Sequence, residues 1–512
     1  MNDNHLILSG IILILFIVFA YGASLLAFLK KKYHLALFCI LTTGLVVRIF
    51  SSLDPMVHTW DERYHALVAK NMIDRPLEPR LYKESVIPLN YQNWTFNEIW
   101  LHKQPVPLWT MAISMKVFGI NEFTLRLPSI ILSTLSIFLT FLIGLFLFNS
   151  KKIGLIAAFF QSINGLAIEL AAGRCATDHI DTFFLFFIQL SIVFILLDKK
   201  YNHKKFLIFA GVACGLAILS KWLPALIVMP LYFILNFEKK SNKDIFYDLV
   251  ILFSTVAIVV IPWQLYAYMK YPMEYSWEMQ FNRLHFTQAL EGNGQPWWYF
   301  LNRIRININE LVYVVFLWYA YSIYKNKTYK NENLFLLIYI VVPFLVFSLA
   351  KTKMQGYLLF TYPAYFIIMA LFIEDILYSQ KPSLQIWSYR KFNYLLTVSI
   401  AVLAIRYGIE RIKPFQSHEV EGRMKKELTA LKFPPNSVVF NISCPIEMMF
   451  YTECIALPFV PEKRLIDHLY SKKYNLYILD NTTLSEEVKQ EEKIKKIDMP
   501  ATIDYTKKKL LL

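Results

Sequence analysis

The feature that most constrains this chain is a succession of apolar runs, each near the length needed to cross a lipid bilayer. Spanning the hydrocarbon core as a helix takes about 20 apolar residues, within a range of about 17–25. Twelve candidate spans are read, at 6–29, 34–53, 128–148, 153–170, 181–198, 206–220, 222–238, 246–266, 311–324, 333–350, 356–377 and 392–408. Several are short, so eleven to thirteen crossings fit the same pattern. Lipid offers the backbone no hydrogen-bond partner, so such runs fold as helices. The first run does not read as a cleavable signal peptide. It follows the acidic stretch Met1–Asn4, lacks a small-x-small cleavage site and leads directly into Lys30–Lys32.

Charge separates this membrane-like part from the C-terminal tail. The chain is 56% hydrophobic and 18% charged, where soluble proteins carry about 45–50% and about 25%. Yet the last 103 residues hold 17 Lys or Arg and 15 Asp or Glu. The expected architecture is an all-α polytopic membrane domain over 1–408, with about twelve transmembrane helices, and a small soluble domain over 409–512. In that tail, helical stretches at 421–431, 445–451 and 462–471 alternate with extended ones at 437–442, 455–460 and 474–479, which implies an α/β unit. A wholly soluble enzyme, a disordered chain and a disulfide-stapled secreted module are excluded. Cys444 and Cys454 lie in the tail and could pair if it faces an oxidising compartment. No Cys/His pattern suggests zinc.

The net charge of +15 does not point to nucleic acid, because the basic residues sit in short clusters between apolar runs. Lys30–Lys32, Lys151/Lys152, Lys199/Lys200 with Lys204/Lys205, Lys239/Lys240, Lys325/Lys327/Lys330 and Lys381/Arg390/Lys391 alternate with less basic connections. The positive-inside rule produces this alternation. Placing all six clusters in the cytoplasm puts 54–127, 171–180, 267–310, 351–355 and the tail on the opposite face. Loops as long as 54–127 and 267–310 are uncommon unless functional. Within them, 61–72 reads as a helix and Pro107–Phe118 as an amphipathic interfacial stretch, and the second loop is rich in aromatics such as Trp277, Phe281, Trp297 and Trp298.

Ionisable groups at a membrane face are costly, so they are candidates for function. His58–Tyr64 (HTWDERY) sets Asp61, Glu62 and Arg63 just outside a span, suited to a base acting on a hydroxyl. Helix capping by Asp61 and a favourable dipole contact from Glu62 explain the same residues blandly. His102 and Lys103 precede a proline-stiffened turn, suited to holding an anion, or else to simple snorkelling. Arg174, Asp178 and Asp181 share a tight outer loop, and Lys221 stands between two apolar runs. Lys351 and Lys353 lie on the face where the positive-inside preference disfavours them, with Tyr357 close behind. Arg126 marks an interface and reads as structural.

The order of these motifs resembles the GT-C polytopic glycosyltransferases, in the branch of the protein O-mannosyltransferases and the aminoarabinose lipid A transferases. The resemblance rests on WDERY, HK-x-P, FG-x-NEF-x-x-RLPS, GR-x-x-x-TD, GLAILSK, QPWWYF and SLAKTK-x-x-x-Y-x-L-x-x-x-P, spread from about Asp61 to Pro363. It implies an inverting glycosyltransferase that uses a polyprenyl-phosphate sugar, without nucleotide, on the outer face of a bacterial inner membrane. The acceptor would be a protein hydroxyl, lipid A or another envelope glycan. By the resemblance Asp61 is the catalytic base, while Lys103, Arg283 and Tyr357 cradle the lipid-linked phosphate. Glu62, Arg63, His102, Arg174, Asp178, Lys221, Lys351 and Lys353 complete the candidate substrate-binding set. No metal ligand is assigned, and a divalent metal stays open. Three departures stand out: His102 replaces the family's carboxylate, the second proline is displaced to Pro107, and Arg63 follows Asp61 one residue early. They argue against aminoarabinose as the sugar. The rival class is a polytopic transporter or lipid flippase, which tends to have two matching halves; here the halves do not match.

Overall fold

The computed structural model describes residues 3–325, 329–378, 390–480, 484, 488 and 490–510. Lys327 and Lys381 of the basic clusters lie outside the described residues. The chain begins with α1 (Asp3–Leu29) and α2 (Tyr33–Ser51). The first large loop carries α3 (Asp61–Met72) and α4 (Pro105–Phe118), and α5 (Glu122–Phe148) returns to the bundle. Then come α6 (Lys151–Ile163), α7 (Gly165–Ala171), α8 (Asp178–Tyr201), α9 (Lys205–Lys221), α10 (Val228–Asn236) and α11 (Asn242–Lys270). The second large loop holds α12 (Pro272–Thr287). It is followed by α13 (Tyr299–Asn307), α14 (Val312–Lys325), α15 (Lys330–Leu349), α16 (Tyr362–Tyr378) and α17 (Arg390–Ile412).

All twelve apolar runs fall in helical segments, but not as twelve full spans. Among the described residues, eight helices are long and apolar enough to cross a membrane, or ten if each of two bent pairs is one span. The remaining runs are α9, at 17 residues, and the shorter apolar stretch Leu223–Asn236. The chain is an integral membrane protein, with a small sheet at its C-terminal end.

The bends are built from polar groups that satisfy one another inside the bundle, as lipid requires. Between α6 and α7 the chain turns by 55° at Asn164, whose side chain caps α7 by accepting from Ala167 N at 3.0 Å. The carbonyls freed at the end of α6 accept from Arg48, at 3.0 Å for Ser162 and 3.3 Å for Gln161. Asn164 also donates to Asn307 O at 2.8 Å, which lies at the second bend, of 107°. Arg411 of α17 closes the set, donating to Asn307 Oδ1 at 2.9 Å and pairing with Glu169.

The bundle has two distinct ends. At one, Lys199 pairs with Glu332 at 2.6 Å, Lys240 with Asp198 at 3.0 Å, and Lys152 lies over the Tyr378 ring. At the other end lie both large loops and the tail. The tail is a four-stranded parallel sheet, ordered β2-β1-β3-β4. Its strands are β1 (Ser437–Phe440), β2 (Ile455–Ala456), β3 (Asn475–Leu479) and β4 (Ile494–Ile497). Helices α18 (Glu419–Ala430), α19 (Pro445–Tyr451), α20 (Lys463–Ser471) and α21 (Pro500–Leu510) pack around it. The sequence reading lacks β4 and α21: β4 is an edge strand whose Lys495 and Lys496 are exposed, and charged edges blunt the strand signal. Cys444 and Cys454 are both buried and form no disulfide among the described residues.

The tail and the first loop share one hydrophobic core. Leu67, Tyr82, Trp100 and Met111 of the loop belong to the same buried cluster as Val438, Phe440 and Ile478 of the sheet. Polar ties reinforce it. Lys70 of α3 donates to the carbonyls of Met449, Phe450 and Thr452 at 3.0–3.1 Å, taking up groups left open at the end of α19. Arg63 pairs with the fully buried Glu447 at 2.9 Å.

Candidate active site

Asp61 opens α3, where a carboxylate is favoured by the helix dipole. Its Oδ2 lies 3.5 Å from Lys103 Nζ and accepts from Thr177 N at 3.2 Å. Lys103 stands just before α4, which Pro105 starts at its first position. The start of α8 and the end of α9 supply a second carboxylate and ammonium, Asp181 paired with Lys221. Lys221 Nζ sits 4.8 Å from the centre of the Tyr357 ring, and the Thr177 hydroxyl donates to Asp181. Five separate chain segments thus deliver two carboxylates, two ammoniums and a phenol to one place, at the end of the bundle that carries both large loops.

Burial works against ionisation of Asp61, but Lys103, His65, His102 and the Thr177 N–H outweigh it and lower its pKa from the ordinary value. Asp61 is therefore an anion at neutral pH, only 15% exposed.

His102 lies flat on Trp94, with ring centres 4.4 Å apart, and its Nδ1 is 3.3 Å from the buried Glu278. A carboxylate thus reaches this neighbourhood from α12 although His102 stands where one was expected in the chain. Asp178 is fully buried against His65 at 2.9 Å, one helical turn from Asp61.

The other candidates have different placements. Glu62 is fully buried and held by Arg126 through two bonds of 2.7 and 3.0 Å, with His58 at 2.5 Å and His179 at 3.2 Å. Gly173 has φ +74°, and a Cβ there would run into the Glu62 carboxylate. Burial opposes the charge of Glu62, yet Arg126 and His58 hold its pKa well below the usual carboxylate range. Arg174 grips Asp54 with two bonds of 2.7 and 2.9 Å and donates to Ile412 O at 2.6 Å, joining the first loop to the end of α17. Lys353 is buried and donates to the carbonyls of Gln295, at 2.9 Å, and Ala350, so it ties its own loop to the second large loop. Lys351 is exposed. Arg283 is exposed on α12, off the face on which Glu278, Phe281 and His285 turn toward His102 and Lys103.

Sequence reasoning missed Thr177 as a site residue, and noted Asp181 without assigning it. The signal was the TD-x-x-D spacing, which puts Thr177 and Asp181 one turn apart at the start of α8. A cavity of about 440 Å³ lies elsewhere, between the tail and the face of α3 that carries Leu67, Lys70 and Asn71, opposite to Asp61. Among the described residues no group of three or more His, Cys, Asp or Glu side chains is arranged to hold a metal ion.

Comparison with known proteins agrees with this architecture. Residues 102–266 match the dolichyl-phosphate-mannose-protein mannosyltransferase family. The undecaprenyl phosphate-alpha-4-amino-4-deoxy-L-arabinose arabinosyl transferase 2 of Pseudomonas fluorescens (strain Pf0-1) is 28% identical over 300 residues, 56% of this chain and 52% of that protein. An uncharacterised protein of Aquifex aeolicus is 29% identical over 287 residues, 54% of each chain. The chain thus spans about half the length of the curated relatives it matches. Among solved structures, ArnT from Cupriavidus metallidurans bound to undecaprenyl phosphate superposes with a TM-score of 0.58 at 15% identity, over 92% of this chain and 90% of that one. Archaeal oligosaccharyltransferase AglB from Archaeoglobus fulgidus gives 0.52 at 15% identity, over 84% of this chain and 65% of that one. The fold is that of the GT-C polytopic glycosyltransferases.

Proposed function

We propose that the chain is an inverting glycosyltransferase that moves a sugar from a polyprenyl phosphate to an acceptor on the non-cytoplasmic face of a bacterial inner membrane. The observation that carries this reading is the Asp61–Lys103 pair beside Asp181, Lys221 and Tyr357, at the end of the bundle opposite the basic clusters. In a single displacement the acceptor oxygen attacks the anomeric carbon, the bond from that carbon to the phosphate oxygen breaks, and the acceptor proton passes to Asp61. Polyprenyl phosphate leaves with the electron pair of the broken bond. Phosphate departs without protonation, so the second, acid carboxylate of soluble glycosidases is not needed. Fixed cations in a site of low dielectric stabilise the leaving charge best, and Lys103 and Lys221 supply them, with the Tyr357 phenol as a hydrogen-bond donor.

The name of the Pseudomonas fluorescens relative and the lipid bound in the ArnT structure support a lipid-phosphate donor. The sugar and the acceptor are left as a class: protein hydroxyl, lipid A or another envelope glycan. The test is titration of the detergent-solubilised chain with undecaprenyl phosphate, comparing wild type with Lys103→Met, Lys221→Met and Tyr357→Phe. Losing a charge-assisted bond costs about 1.5–3 kcal/mol, about tenfold or more in affinity, for each lysine. Undiminished binding in all three variants would remove the phosphate site from these residues.

A further inference from the structure

Among the described residues, three with β-branched or aromatic side chains have positive φ, Thr177, Trp222 and Tyr329, and the first two flank the Asp181–Lys221 pair. Most of the other non-glycine residues with positive φ are asparagines or lysines, at φ of 50–64°. Thr177, which is β-branched, has φ +66°, and Trp222, next to Lys221, has φ +113°. For branched or bulky side chains such angles are outliers, and they persist only where the surroundings enforce them, often at functional sites.

What the strain at Thr177 achieves is visible in its bonds. Thr177 occupies the N-cap of α8, where a threonine ordinarily accepts from the first turn of its own helix, yet its side chain makes no capping bond. Its backbone N–H is aimed instead at Asp61 Oδ2, 3.2 Å away, and its hydroxyl at Asp181. Gly356 closes over this bridge: a Cβ there would meet the Asp181 carboxylate, and the Thr177 hydroxyl at 2.9 Å.

We propose that Thr177 is the positioning residue of the site, fixing the two carboxylates relative to one another and sharing the charge of Asp181 so that Lys221 stays available to an incoming phosphate. The inference rests on the polyprenyl-phosphate reading above. Without the hydroxyl, Asp181 has Lys221 as its remaining side-chain partner and holds it more tightly against the phosphate. Without the left-handed turn, the N–H no longer reaches Asp61.

The experiment is titration of the full-length, detergent-solubilised chain with undecaprenyl phosphate from pH 5 to 8, for wild type, Thr177→Ser, Thr177→Val and Gly356→Ala. Thr177→Val keeps the shape and the N–H but loses the hydroxyl. It should weaken binding by about tenfold, the scale of a hydrogen bond to a charged group. Thr177→Ser should restore binding to within about twofold, and Gly356→Ala, which crowds the hydroxyl from the other side, should resemble Thr177→Val. A merely structural threonine would lower the melting temperature in Thr177→Val and leave the affinity of the folded fraction untouched. Equal affinities for wild type, Thr177→Val and Gly356→Ala would overturn the positioning role while leaving the donor site intact, as would Thr177→Ser binding no better than Thr177→Val. Wild type failing to bind undecaprenyl phosphate at any pH would instead overturn the donor reading, and this inference with it.

Discussion

The ammonium of Lys103 lies 3.5 Å from the Asp61 carboxylate, so the cation nearest the proposed base also sets its charge state. Lys103 is the strongest of the groups that lower the Asp61 pKa against the effect of burial. A base with a depressed pKa is ionised above that value and lost as pH falls through it. Transfer at saturating donor should therefore persist below the ordinary aspartate pKa of about 3.9, to the extent that the fold survives. In Lys103→Met the acid limb of kcat should move to higher pH. An acid limb in the same place in both proteins would separate Lys103 from the ionisation of Asp61.

Glu62 and Arg126 form a fully buried pair, and removing one partner leaves an uncompensated charge. Arg126→Met should destabilise the protein by about 3–5 kcal/mol, read as a lower melting temperature in detergent. Glu62 has a depressed pKa, so its contribution is present above the unfolded value and lost as pH falls through the folded one. Arg126→Met should therefore also reduce the dependence of stability on acid pH. A melting temperature unchanged from wild type would contradict a part for the buried Glu62–Arg126 pair in holding the fold.

His58 titrates in the opposite sense. Burial disfavours its charge, but Glu62 at 2.5 Å and Asp54 at 2.9 Å prevail and raise its pKa. Its stabilisation is complete below the unfolded value of about 6.5 and fades as pH rises through the raised folded value. Thermal stability should decline on that alkaline side, and His58→Gln should flatten the decline. A slope that is identical in the variant would assign it to other groups.

Lys70 holds three carbonyls at the end of α19 and pairs with Glu453 at 3.0 Å. Lys70→Met should loosen the sheet domain from α3, so limited proteolysis between residues 409 and 445 should be faster. Undecaprenyl phosphate binding should stay close to wild type, because Lys70 and Asp61 lie on opposite faces of α3. Unchanged proteolysis would mean that the shared apolar core alone carries the contact.

Much of this architecture is legible in the sequence because lipid enforces a simple rule. Runs such as 128–148 and 246–266 are helical because nothing else satisfies their backbone, and they appear as α5 and α11. The two bent pairs were less legible: the polar groups that make a break tolerable, Arg48 at 161–162 and Arg411 at Asn307, are remote in sequence. Asp61 and Lys103 were legible as charges flanking helix starts. Their pairing depends on how α3 and α4 pack, which no local pattern encodes. Arg174 and Lys353 look like free outer cations in the sequence, yet each is engaged by carboxylates or carbonyls from distant loops. Thr177 left only the TD-x-x-D spacing as a trace, because the backbone angle that aims its N–H at Asp61 has no pattern in the sequence.

The most direct measurement is mass spectrometry of envelope lipids and proteins from a strain lacking the chain, complemented with wild type or with Asp61→Asn. The deletion should lose one glycan modification, and wild type should restore it. Asp61→Asn should fail to restore it while the purified variant still binds undecaprenyl phosphate, since Lys103 is then released from its pair. Full restoration by Asp61→Asn would contradict the assignment of Asp61 as the base.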